Sequence, residues 1–131
     1  MVTEGYSPQL RDHLDHPRNA GPMDNPDGVG VQGNPICGDT MKLMLRIDDD
    51  RVVEARWQTV GCEPSLAASS IATELAIGRT LEEVEALTQD DVIQAAGGIP
   101  SSKLHASTLA AGALHRAVAA YRARHSGKQA E

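Results

Sequence analysis

The chain has 131 residues, enough for one domain with one core and too few for two. With no Phe, one Trp and two Tyr, an apolar share of 40% must come from Leu, Ile, Val, Met and Ala, and that share argues against disorder. A net charge of −6 without aromatic residues interleaved among basic ones excludes a nucleic-acid partner, and no run nears the roughly 18–20 apolar residues of a membrane span.

The polar opening "MVTEGYSPQLRDH" has no apolar signal-peptide core, so the expected compartment is the cytoplasm. There, two cysteines are free thiols or ligands rather than a disulfide. Residues 1–22 read as an N-terminal arm within a stretch rich in Pro, Gly, Asn and Asp that reaches Pro35, mostly loop, with one short helix over Pro8–His16.

Met41–Ile47 alternates as a half-buried strand does, with Leu43, Leu45 and Ile47 on one face and Lys42 and Arg46 on the other. Val53–Thr59 repeats the pattern, setting Val53, Ala55 and Trp57 inward against Glu54, Arg56 and Gln58. "DDDR", Asp48–Arg51, is then the turn of a hairpin. Its aspartates lack the alternating ligand positions and the glycine of an EF-hand loop, so the turn is solvated rather than calcium-binding.

After "VGC" the period lengthens, aligning Ala67, Ile71 and Leu75 on one helical face, with Pro64 in the first turn and Gly78 as the stop. "TLEE", Thr80–Glu83, is a capping box, and Thr88–Asp91 looks like a second, whose helix closes at Gly97 and Gly98. The last helix begins near Ser101 or Ser102 and carries Leu104, Ser107, Ala111, Leu114, Val118 and Tyr121 at spacings of three and four. Its tail, residues 125–131, is expected to fray. The pattern predicts a single α+β domain over residues 1–131, a small antiparallel β-sheet covered on one side by helices.

Cys37 enters the first strand of this hairpin from the loop "GNPICGD", and Cys62 leaves the second. Antiparallel pairing brings those two ends to one edge of the sheet, so the cysteines are expected to be neighbours. Cys62 also precedes a helix whose N-terminal N–H groups and dipole favour a thiolate. The residues alone leave both thiols open between metal ligand, sulfur acceptor and inert buried group.

His105 falls in the first turn of the last helix, where a lone histidine reads equally as a cap, a surface group or a satisfied core residue. If that helix end meets the two loops, Cys37, Asp39, Cys62 and His105 form a mixed S/N/O set of the size a tetrahedral metal accepts. His13, His16, His115 and His125 read as surface or capping residues. No G-x-S-x-G elbow, P-loop, GxGxxG or HExxH occurs, so the chain is not expected to be an enzyme.

"YSPQLRDHLDHPRNAG", "GNPICGDTMKLMLRIDDDRVVEARWQTVGC", "AASSIATELAIGRTLEEV" and "GGIPSSKLHAS", in that order, resemble the U-type iron–sulfur cluster assembly scaffolds, the IscU and NifU N-terminal-domain family. The likeness covers nearly the whole chain and implies a SufE/NifU-like fold. It also implies a scaffold that takes sulfur from a cysteine desulfurase and iron from a donor, builds a 2Fe-2S cluster and passes it to recipient proteins. The matching positions are Cys37, Asp39, Cys62, Lys103 and His105. By resemblance Cys37 and Cys62 are ligands, Asp39 tunes cluster lability and His105 is an alternative ligand, for iron or a transient 2Fe-2S cluster, with zinc as the other candidate metal.

Where the family reads His-Cys-Ser, this chain reads His105-Ala106-Ser107, and a methyl group neither coordinates iron nor carries sulfur. The resemblance then implies one of two forms. Either one chain holds the metal through Cys37, Asp39, Cys62 and His105, or two chains each give two thiolates to a bridging cluster, as a homodimer. "CEPS" replaces the small residues usual after the second cysteine. The Leu-Pro-Pro-Val-Lys segment that Hsp70-type chaperones recognise in the IscU branch is Ile99–Lys103, "IPSSK", nearer the NifU branch, which weakens the expectation of a chaperone partner. The alternative that Ala106 motivates is a non-assembling protein of the same fold, zinc-binding or regulatory, that binds the desulfurase or another scaffold.

Overall fold

The computed structural model describes residues 6–34 and 38–129. Its elements are α1 (Pro8–Asp15), β1 (Gly28–Asn34), β2 (Asp39–Asp48), β3 (Arg51–Val60), α2 (Glu63–Ala76), α3 (Leu81–Glu85), α4 (Gln89–Ala95), a 3-10 turn (Ser101–Lys103) and α5 (His105–Gln129). The strands form one antiparallel sheet in the order β1-β2-β3, with α2 packed on β3 and α5 on β1 and β2. This is the expected α+β arrangement.

The hairpin turn falls at Asp48–Arg51 as expected: Asp48 pairs with Arg51, and Asp49 and Asp50 are the two central residues, at φ 53° and 57°. Two successive left-handed residues are what a two-residue hairpin of this twist requires, and aspartate tolerates that region better than most side chains. Just past the turn Ile47 pairs with Val52 but Arg46 pairs with Glu54, so Val53 is an extra residue bulged out of the ladder. The bulge corrects the expected facing: Val52 is fully buried and Val53 is 50% exposed, while Ala55 and Trp57 keep their inward places.

β1 lies in the segment expected to be loop. Its inward positions, opposite Leu45 and Leu43, are Gly28 and Gly30, and its valines alternate with them on the other face. A Cβ at Gly28 or Gly30 would strike the backbone carbonyl of Ala117 or Ala113, so α5 rests directly on the strand's main chain. The strand is glycine on the side where a sequence pattern looks for apolar residues.

Before β1 the chain straps the sheet. Trp57 N–H donates to Asn19 O at 3.0 Å, and Gly21 N–H donates to Trp57 O at 2.9 Å, which adds the arm to the edge of β3. Further along, the Arg46 guanidinium donates to the carbonyls of Asp24 (2.5 Å) and Asn25 (3.3 Å), and Asp27 takes the Ile47 N–H at 2.8 Å. The arm thus crosses from one sheet edge to the other over the face opposite the helices. Met44, which points to that face, is only 2% exposed.

α1 is capped by Ser7, whose hydroxyl accepts the Leu10 N–H at 2.9 Å, and docks on α2 through His13. His13 is 8% exposed, which corrects its reading as a surface or capping residue. The Thr80 and Thr88 capping boxes form as expected and open α3 and α4. α2 is walled on several sides by the sheet, α1 and α5, so its buried positions are mostly Ala, Ser and Thr. In α5 the core positions Ala106, Ala110, Ala113, Leu114, Ala117 and Val118 are all fully buried. Leu104 precedes the helix and is 41% exposed, against its expected place in the apolar stripe.

Candidate metal centre

Asp39 is the first residue of β2, Cys62 caps the N-terminus of α2, and His105 opens α5. Pairing of Thr40 with Val60 sets the start of β2 beside the end of β3. The chain then turns at Gly61 straight into α2, so strand pairing delivers Cys62 to Asp39. α5 completes the site from the other side, its first residue held there by the seating of its Ala positions on the sheet.

Asp39 Oδ2 is the hub. The Cys62 thiol donates to it at 3.3 Å, His105 Nε2 lies 2.9 Å away, and the Ser65 hydroxyl donates to it at 2.6 Å. Asp39 Oδ1 accepts the Cys62 backbone N–H at 3.2 Å. Cys62 Sγ is 3.9 Å from His105 Nε2 and 3.4 Å from Ser65 Oγ. One donor atom each from Asp39, Cys62 and His105 lies within 4.8 Å of the others.

Asp39 is 3% exposed. Burial pushes its carboxyl up, but the hydrogen bonds from Ser65, His105 and the thiol and amide of Cys62 outweigh that and hold it below the usual carboxylate range. An ionised carboxylate, a thiol free of any disulfide and an imidazole make an O/S/N set suited to Fe2+ or Zn2+. Gly61 is the residue that lets the carboxylate sit here: a Cβ on it would fall 2.5 Å from Asp39 Oδ1.

Of the expected site residues, Asp39, Cys62 and His105 come together, and Cys37 lies outside the described residues. Lys103 closes the 3-10 turn before His105. Ala106 is fully buried in the core, pointing the chain's departure from the His-Cys-Ser pattern inward. Ser65 and Gly61 were not expected. The signal for Ser65 was its place three residues after Cys62, on the same face of a helical first turn.

The description "NifU-like N terminal domain" belongs to a protein-family model that matches residues 5–128. "Iron-sulfur cluster assembly scaffold protein IscU 1" of Archaeoglobus fulgidus is 47% identical over 116 residues, covering 88% of this chain and 76% of that protein. The IscU scaffold protein of Escherichia coli (strain K12) is 39% identical over 127 residues, covering 94% and 98%. A crystal structure of the N-terminal part of a NifU-like protein from Brucella abortus superposes with a TM-score of 0.76 at 17% identity, covering 90% of this chain and 94% of that one, a likeness of fold. Sequence and fold thus agree, and the chain belongs to the NifU-like N-terminal domain family.

Proposed function

We propose that this protein is an iron–sulfur cluster assembly scaffold that takes iron and sulfur as cargo at the centre formed by Asp39, Cys62 and His105, with Cys37 as the further ligand. The observation that carries the reading is the convergence of a thiol and an imidazole, brought by two other parts of the chain, on one carboxylate oxygen, Asp39 Oδ2. The family's named members support it, since the relatives from Archaeoglobus fulgidus and Escherichia coli are named as scaffold proteins of this kind. The sulfur source is a cysteine desulfurase, and the product goes to recipient proteins.

With Ala106 in place of a third thiol, each chain brings two sulfur ligands, Cys37 and Cys62. A carboxylate and an imidazole complete a set of four on one chain. Harder, more weakly bound oxygen and nitrogen ligands in half of the positions suit a centre that must give up what it holds.

Anaerobic incubation with Fe2+, L-cysteine, a cysteine desulfurase and a thiol reductant, which reduces the transferred persulfide sulfur to sulfide, tests the proposal. Visible charge-transfer absorbance with bound iron and acid-labile sulfide is expected. Protein that emerges with neither iron nor sulfide would refute it. Stoichiometry separates the two forms of the product: two irons per chain for a cluster on one chain, one per chain for a cluster shared by a dimer.

A further inference from the structure

Ser65 touches two of the three donor atoms and is itself fully buried, on the first turn of α2. Its hydroxyl donates to Asp39 Oδ2 at 2.6 Å, the shortest of the contacts to that oxygen. The turn that carries it is itself fixed. Ser65 N–H donates to Cys62 O at 3.0 Å, and its carbonyl accepts the Ser69 hydroxyl at 2.8 Å, which sits 2.7 Å from Thr59 Oγ1 on β3.

The four groups around the Asp39 carboxylate divide by what happens to their protons. The thiol of Cys62 must lose its proton to bind a metal, and His105 Nε2 must present a lone pair. Their hydrogen bonds to Asp39 therefore end when the site is loaded. The Ser65 hydroxyl and the Cys62 backbone N–H keep their protons, and they reach different oxygens, Oδ2 and Oδ1. After loading they are the two bonds that still orient the carboxylate. Gly61 backs Asp39 closely, so the carboxylate has little room to turn away on that side.

We infer that Ser65 is a positioning residue of this centre: its hydroxyl pins Asp39 Oδ2 and so sets how tightly the site holds its metal and how fast it releases it. The inference rests on the metal-centre reading above. It assigns a role to the serine of the "CEPS" stretch, Cys62–Ser65.

The test uses Co2+ as a spectroscopic probe on the wild-type chain, Ser65→Ala and Ser65→Thr under anaerobic conditions. The expected result for Ser65→Ala is a loss of Co2+ affinity of about 10- to 100-fold, faster release to a chelator and a changed ligand-field spectrum, because a ligating carboxylate has lost an outer partner. Ser65→Thr, which keeps the hydroxyl, is expected to restore affinity and spectrum toward wild type. Thermal unfolding of the metal-free proteins controls for folding: a purely structural serine would shift that transition and leave release unchanged. Wild-type binding together with a Ser65→Ala release rate and spectrum identical to wild type would overturn the role of Ser65 alone. Failure of the wild-type chain to take up Co2+ would overturn the metal-centre reading and this role with it.

Discussion

At Gly61 a single hydrogen atom in place of a methyl group decides where Asp39 sits. A Cβ there would lie 2.5 Å from Oδ1 and 2.6 Å from Cγ of the carboxylate, closer than packed atoms approach, so Gly61→Ala must displace Asp39. The expected outcome is a loss of metal affinity of at least about tenfold, with the far-ultraviolet circular dichroism unchanged, read by Co2+ titration. Val60→Ala, next in the chain and 75% exposed, should leave affinity where it is. Part of this site was legible in the sequence: the hairpin ends marked Cys62 as a neighbour of the residues entering the first strand, whereas the roles of Asp39 and His105 came from the family resemblance, since no spacing brings a helix end 66 residues away to that edge. Ser65 and Gly61 were not, because their importance depends on the direction in which Asp39 points, and no spacing encodes that.

Between elements, the join of α1 to α2 runs through a buried imidazole. Ser70 Oγ accepts the Arg18 N–H at 2.9 Å, so its own proton is free for His13 Nδ1 at 2.7 Å, leaving His13 Nε2–H to face Glu74 Oε1 at 3.3 Å. Burial is the main force that pushes the His13 pKa below 6.5. The Arg18 charge adds to it, and Glu74 and Asp12 oppose it. The unfolded chain therefore binds the proton more readily than the folded one, so this contribution to stability is complete above about pH 6.5 and is lost as the pH falls through the lower, folded value. Urea midpoints measured from pH 7.5 down to pH 5.5 should fall for wild type, and His13→Gln should flatten part of that slope.

The other decisive contact is between β1 and α5. Gly30→Ala drives a methyl into the Ala113 carbonyl and should cost about 1–3 kcal/mol in urea unfolding. Val31→Ala on the outer face, where the side chain is 48% exposed, should stay within about 0.5 kcal/mol of wild type. The same glycines explain why β1 escaped the sequence pattern: a strand whose buried positions lack side chains shows no apolar alternation, and its valines face the wrong way. Similarly, Val53 looked inward until the bulge after the two-residue turn moved Val52 into its place. The β2–β3 hairpin, the two capping boxes and the helix after Cys62 were legible because periodicity and caps are local. The strand pairing of β1 and the bulge are products of tertiary packing.

Across the whole molecule, the candidate ligands come from a strand, a helix cap and the last helix, and no short piece of the chain holds all three. Metal binding should therefore stabilise the entire fold rather than one loop. At a free Zn2+ concentration of one hundred times the dissociation constant, linkage predicts about 2.7 kcal/mol of added stability and a higher Tm. Calorimetric scans with and without Zn2+ should show that rise for wild type and its near-disappearance for His105→Ala. Among the described residues no helix is long and apolar enough to cross a membrane.

The order of these donors along the chain has a consequence during synthesis. Asp39 and Cys62 leave the ribosome early, and His105 follows Asp39 by 66 positions. Until α5 is made and seated on the glycine face of β1, the emerging polypeptide lacks the His105 imidazole that completes this centre with Asp39 and Cys62. The three-donor centre is thus assembled only after the last helix has been made, late in the synthesis of the domain.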